Sequence, residues 1–336
     1  MTYFAKFAAF ALLAISAPLA APAGAQDFYK GKTVSIVVGF SPGGGFDTYA
    51  RSFGRHLGKH LPGGPKVIIQ NMPGAGSMKS VLHLDANAPK DGTVLAAFNP
   101  GLITLSATSP EQVKIRFDTL AWVGSISPDF SICYAWHATG IKKFGDIRGG
   151  REFIVGASGK GTSSYVRASI MRALLGANVK HVLGFPGSAE QRLAVERGEL
   201  HGDCGAWSSI PDTWIKGKKI VPLLRFDVEK LPDMPDGIPL ASDLATSDEN
   251  RKALDLLLAS GKLGRPYVMS KAVPANRLAE MRRAFDATMK DPDFRADATK
   301  QAIPVYPVDG AGSERIIVDV YAAPAGVVAR ARAAIQ

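Results

Sequence analysis

The sequence predicts an α/β protein of two lobes, each a mainly parallel sheet flanked by helices, with a ligand cleft between them. Three observations carry this expectation. Short β-branched apolar runs alternate with amphipathic stretches, the alternation occurs twice, and the roughly 310 residues beyond the N-terminal segment exceed what one core usually serves.

The first 25 residues read as a cleaved signal peptide. Lys6 supplies a basic start, Phe7 to Ala21 carry no charge, and Ala23-Gly24-Ala25 offers the small-x-small pattern of a cleavage site before Gln26. The run is short for a bilayer span, and later apolar stretches are interrupted by charge, Gly or Pro. A soluble exported protein is therefore expected. Loss of residues 1–25 removes only Lys6, leaving 39 basic against 30 acidic residues, a formal net charge of +9. Without a Lys/Arg block this charge suits solubility and anionic ligands rather than nucleic acid.

Within the mature chain, TVSIVVGF (33–40), KVIIQN (66–71), TVLAAFN (93–99) and FIVGAS (153–158) read as buried parallel strands, being nearly continuous apolar runs bounded by turn residues. Helical patterns follow at Asp47 to His60, Ser163 to Leu175 and Ala189 to Arg197. The second round, across about 130–226, takes its strands from FSICYAW, FIVGAS, KHVLGF, LHGDCGAW and IVPLLRF. A tail holds PYVMSKAVP (266–274), a helix from Asn276 to Lys290 and a final helix near Ser313 to Tyr321. The expected division is residues 26–125 with about 227–336 as lobe 1, and about 126–226 as lobe 2. Cys133 and Cys204 allow one disulfide and are also consistent with two buried thiols. No CxxC or Cys/His cluster indicates a metal, and no cofactor is expected.

In open α/β sheets ligands sit beyond the carboxyl ends of strands, so the loops there are the candidate site. Phe40 and Asn99 stand at two such ends. Ser41-Pro42-Gly43-Gly44-Gly45 leads into a helix near Asp47, where glycines with free φ and unpaired first-turn amides could receive an anion. A Cβ at Gly44 is expected to obstruct that approach. Gly74-Ala75-Gly76 forms a second small-residue loop, and Ser158 to Ser164, with Thr162 and Ser163, adds hydroxyls at a helix start, one of them expected to cap it. Phosphate motifs fail on spacing. Lys160 is followed by Gly161, Ile154 stands where a P-loop needs Gly, and Lys79 replaces the third glycine of a dinucleotide fingerprint. HExxH does not occur and the histidines are scattered, so the chain is read as a binder rather than an enzyme. An exported hydrolase with a dispersed site is the alternative.

SPGGGFDTYAR (41–51), QNMPGAGSM (70–78), APKDGTVLAAFNPG (88–101), GASGKGTSS (156–164) and GFPGSAEQRLAVERGEL (184–200), in this order, resemble the Bug family, the TctC-like periplasmic receptors of tripartite tricarboxylate transporters. The resemblance runs from about Tyr29 to the C terminus. It implies a type II-like periplasmic-binding-protein fold that closes on a hinge, without catalysis or metal. It also implies a small organic acid as ligand, held by Ser41 and Gly43 to Gly45, by Gly74 to Gly76, and by Ser158 to Ser164 with Gly187 and Ser188. Membrane subunits of the transporter are the implied partners, and a monomer is expected. Three features depart from the family pattern. Phe46 puts a ring at the cleft mouth, His201 and Gly205 leave Asp203 as the acid on its strand face, and Trp207 with Ser208 follows. The two rings favour an aromatic or longer aliphatic acid over a citrate-like one.

Overall fold

The computed structural model describes residues 28–227 and 229–336. The signal peptide and its cleavage before Gln26 lie outside these residues. Eleven strands are formed among them: β1 (Thr33–Val38), β2 (Lys66–Asn71), β3 (Val94–Ala97), β4 (Leu120–Ser125), β5 (Ser131–Trp136), β6 (Phe153–Ala157), β7 (Val179–Leu183), β8 (Gly202–Ala206), β9 (Ile220–Arg225), β10 (Pro266–Ser270) and β11 (Val308–Asp309). The α-helices are α1 (Gly45–Leu57), α2 (Met78–Ala86), α3 (Gly101–Thr108), α4 (Phe144–Arg148), α5 (Ser163–Ala173), α6 (Ser188–Glu196), α7 (Asp212–Lys216), α8 (Asp248–Ala259), α9 (Ala275–Lys290), α10 (Pro292–Lys300), α11 (Gly310–Tyr321) and α12 (Ala325–Ile335).

The strands form two sheets, ordered β11-β4-β10-β3-β1-β2 and β7-β6-β8-β5-β9. Pairs β1–β2, β1–β3, β6–β7 and β6–β8 are parallel, as βαβ crossovers require. The remaining ladders are antiparallel, so the sheets are mixed rather than mainly parallel in their pairing. The reason is the route of the chain. β4 ends at the edge where the sheets face each other, and β5 enters the second sheet from that edge and must run back through it. β10 returns into the first sheet in the same way. Apolar content does not report this direction, because a strand buried on both faces reads alike in either sense.

Alternation along β1 feeds both faces of the first sheet. Val34, Ile36 and Val38 pack with Phe53, Tyr267 and Phe285, whereas Val37 joins Ala96, Leu102 and Trp122. KVIIQN, read as fully buried, is the edge strand: Lys66 and Gln70 are exposed and its other residues half-buried. The final helix is α12 rather than the Ser313–Tyr321 segment, which lies in α11. α12 packs on α3, α5 and α8, burying Ala331, Ala334 and Ile335, and the Tyr165 hydroxyl donates to the Ile335 carbonyl at 3.1 Å. Cys133 and Cys204 are register partners on β5 and β8, fully buried and joined as a disulfide. No helix among the described residues is long and apolar enough to cross a membrane.

Candidate functional site

The glycine-rich loop after β1 is braced from within. Gly43, at φ +78°, donates its amide to Asp47 Oδ2 at 2.9 Å. Buried Asp47 also accepts from Arg51 Nε and Asn71 Nδ2, both at 2.9 Å. Burial alone would raise this carboxyl; the Arg51, Gly43 and Asn71 donors hold it below the ordinary carboxylate range. Gly44 has an ordinary φ of −82°, so of the two glycines Gly43 alone takes the left-handed backbone.

This loop meets α6 of the opposite sheet. Ser41 Oγ donates to Glu190 Oε2 at 2.8 Å, Gly45 N to Ser188 Oγ at 3.4 Å, and Arg192 Nη2 to the Gly43 carbonyl at 3.2 Å. A Cβ on Gly45 would stand 2.3 Å from Ser209 Oγ, and one on Gly187 2.4 Å from Ser41 Oγ. These glycines let two protein segments approach each other. Ser41, Gly43 and Gly187 therefore support the cavity wall instead of lining it.

At the start of α5, Asn99 Oδ1 accepts from Gly101 N at 2.9 Å and from Ser163 N and Oγ, each at 3.0 Å. Thr162 Oγ1 donates to the Gly159 carbonyl at 2.8 Å and lies 3.3 Å from Ser164 Oγ. No hydroxyl caps the helix, contrary to expectation. The amides of Ser164 and Tyr165 have no hydrogen-bond partner among the described residues, so the first turn of α5 keeps donors for an acceptor from outside. Gly74, Ala75 and Gly76 lie behind this loop. They line a separate hollow of about 240 Å³, and a Cβ on Gly76 would stand 2.6 Å from Thr162 Cγ2.

Between the sheets lies a cavity of about 80 Å³. Of the residues singled out in the sequence, Phe40, Gly44, Gly45, Phe46, Asn99, Ser158, Thr162, Ser163, Ser164, Ser188 and Asp203 line it. Trp207 does not. A buried indole N–H needs an acceptor, and Trp207 turns away to donate to Asp233 Oδ2 at 2.7 Å while packing with Ile210, Trp214 and Leu231. Phe46 stacks on Phe40, with centroids 4.8 Å apart, and holds the Arg265 guanidinium 4.7 Å from its ring centre. Of the two rings behind the preference for aromatic or long aliphatic acids, Phe46 alone lines the cavity.

Cys204, Gly205 and Ala206 of β8 line it as well, and Asp129, Tyr134, Gln191, Arg192, Ser209, Ile210 and Arg265, which complete the wall, were missed in the sequence. Arg265 Nη1 and Arg167 Nη2 each donate to Asp129 at 2.7 Å, all three side chains being buried. Arg265 also lies 4.7 Å from the Tyr49 ring centre, which gives its unpaired Nε an electron-rich neighbour. One carboxylate between two guanidiniums leaves this buried cluster with an excess positive charge. At the second-sheet end, burial pushes the Asp203 carboxyl up to about 6. Among the described residues no cluster of His, Cys, Asp and Glu is arranged to hold a metal ion.

No family model matches the chain. A UPF0065 protein of Bordetella pertussis is 28% identical over 191 residues, covering 54% of this chain and 57% of that protein. A UPF0065 protein from the TAR-I ttuE-ttuC' intergenic region of Agrobacterium vitis is 33% identical over 122 residues, 36% of this chain and 34% of its own. The chain thus matches little more than half the length of the first relative and a third of the second. Among solved structures, periplasmic binding protein BugD superposes with a TM-score of 0.70 at 16% identity, covering 86% of this chain and 94% of BugD. MatC from Rhodopseudomonas palustris with bound malate gives 0.71 at 20% identity, covering 90% and 99%. An R. palustris protein with adipate gives 0.69 at 17% identity, covering 86% and 94%. The chain thus resembles UPF0065 proteins in sequence over part of its length and shares its fold with the periplasmic binding protein BugD and with MatC.

Proposed function

We propose that the protein is a periplasmic solute receptor that captures a small organic carboxylate between its two sheets and delivers it to the membrane subunits of a tripartite tricarboxylate transporter. The observation that carries this reading is the pairing of unpartnered first-turn amides on α5 with buried Arg265 at one cavity between the sheets. Helix-start amides beside a guanidinium suit a carboxylate, and charge-assisted bonds are the strong ones. At about 80 Å³ the cavity is well below the ~300 Å³ of drug-sized pockets, which fits a small acid. Malate and adipate in two proteins of the same fold agree with that class.

Export follows in this reading from residues 1–25. The lobes are residues 26–125 with about 227–336, and about 126–226, closing about the segments that link β4 to β5 and β9 to β10. Binding without turnover is favoured by the engagement of the cavity hydroxyls. Ser163 bonds to Asn99, Thr162 to Gly159, and Ser188 accepts from Arg192.

A melting-temperature screen of mono- and dicarboxylates, followed by calorimetry, tests the reading. Saturable stabilisation with one site per chain and an unchanged ligand is the expected result. Absence of stabilisation by any acid, or conversion of the ligand, would overturn it.

A further inference from the structure

We propose that the second-sheet end of the cavity recognises a hydrogen-bond donor on the ligand, so that the bound acid carries a hydroxyl or ammonium group opposite its carboxylate instead of a second carboxylate. This rests on the carboxylate-receptor reading and specifies the other half of the ligand.

Tyr134 on β5 and Asp203 on β8 are register partners, so their side chains project side by side from one sheet face, and both line the cavity. The Tyr134 hydroxyl is buried without a partner among the described residues. Asp203, 6% exposed, accepts the Cys204 amide on Oδ1 at 2.8 Å, and its Oδ2 has no partner among the described residues. Gly205, two residues on, keeps that oxygen uncovered: a Cβ there would meet only Asp203 Oδ2, at 3.6 Å. The nearby cations are committed elsewhere. Arg192 bonds to Ser188, Ser209 and Gly43, and Arg167 to Asp129.

Buried polar groups are ordinarily satisfied, so two unmet ones side by side on a cavity wall mark where a ligand group completes the set. A hydroxyl can donate to Asp203 Oδ2 while accepting from Tyr134, and an ammonium can donate to both oxygens. A methyl group offers no donor, and a second carboxylate sets like charges together in a space of low polarity. The Asp203 carboxyl, raised by burial to about 6 and facing Tyr134, Arg192 and Arg167, is still ionised in neutral buffer.

Calorimetry near neutral pH with straight-chain acids of four to six carbons ending in methyl, hydroxyl, amine or carboxylate tests the proposal. At one chain length or more, the hydroxy or amino acid should bind about tenfold tighter than the diacid and the methyl acid. Which of the two leads identifies the donor. Asp203→Asn should narrow the gap to the diacid about tenfold, and Tyr134→Phe should weaken the hydroxy acid about fivefold without lowering the melting temperature. Tightest binding by diacids, or an order unchanged by Asp203→Asn, overturns the proposal while leaving carboxylate capture standing. If none of these acids binds and the wider carboxylate screen is also blank, the receptor reading falls and the proposal with it.

Discussion

Asn99 and Ser163 join the loop after β3 to the start of α5: one carbonyl oxygen, Asn99 Oδ1, accepts both the amide and the hydroxyl of Ser163 at 3.0 Å. The contact links the two sheets at the cavity wall and holds the first turn of α5 in place.

Asn99→Ala leaves three donors without their acceptor, those of Ser163 and the Gly101 amide. A loss of about 1–3 kcal/mol in ligand affinity is expected, from an α5 start no longer fixed against the loop. Calorimetry on the variant checks this; unchanged affinity would show that the contact does not position the site.

Gly101→Ala tests whether close approach of the sheets is needed. Its Cβ would fall 2.2 Å from the Gly161 carbonyl oxygen, a backbone atom that cannot swing away. Ligand affinity should drop at least about tenfold, with α3 separated from the Gly161 loop. Small-angle scattering of the ligand-saturated variant should show a more open molecule than the parent.

Asp129 stands between Arg167 and Arg265 with all three side chains buried. Burial pushes its carboxyl up, and the two guanidiniums more than reverse that, so it stays ionised. Asp129→Ala strands two buried cations and should cost about 3–5 kcal/mol in chemical denaturation. A loss below about 1 kcal/mol would mean that water reaches the guanidiniums.

These relationships show where sequence reading succeeds. The runs at β1, β3 and β6 were legible because both sheet faces are covered, which makes the strands continuously apolar. Ser163, Ser164 and Phe46 were legible because loops after parallel strands converge, and Asp203 because alternation along β8 fixes its face. Arg265 and Tyr134 were not. Arg265 immediately precedes a returning strand about 100 residues beyond α5, and Tyr134 reads as another core aromatic in FSICYAW. Trp207 misled because its loop reaches the cleft while its indole N–H is drawn to Asp233. The glycines of the first loop were recognised, but their role of admitting α6 and Ser209 depends on a partner segment that no local pattern names.

Asp203→Asn should stabilise the unliganded protein at neutral pH. Burial raises the folded carboxyl to about 6, above its ordinary 3.8, and Tyr134, Arg192 and Arg167 are the titratable groups facing it. Between those values the folded state holds a proton that the unfolded chain has released, so parent stability falls as pH rises through this window and remains lower above it. The variant should gain on the order of 1–3 kcal/mol near pH 7 and nothing below about pH 4. Denaturation at both pH values checks the sign. A variant less stable near pH 7 would mean that Asp203 is satisfied in the unliganded protein.

If the α5 first turn and Arg265 hold a carboxylate, calorimetric titration of a stabilising acid beside its methyl ester will separate the two ligands. Several charge-assisted bonds, each worth about 1.5–3 kcal/mol, are weakened in the ester. One site per chain is expected for the acid, with binding about a hundredfold weaker for the ester and a marked loss of acid affinity when Thr162, Ser163 and Ser164 are replaced together by alanine. An ester that binds as tightly as the acid, with the triple variant indifferent to both, would contradict carboxylate binding there.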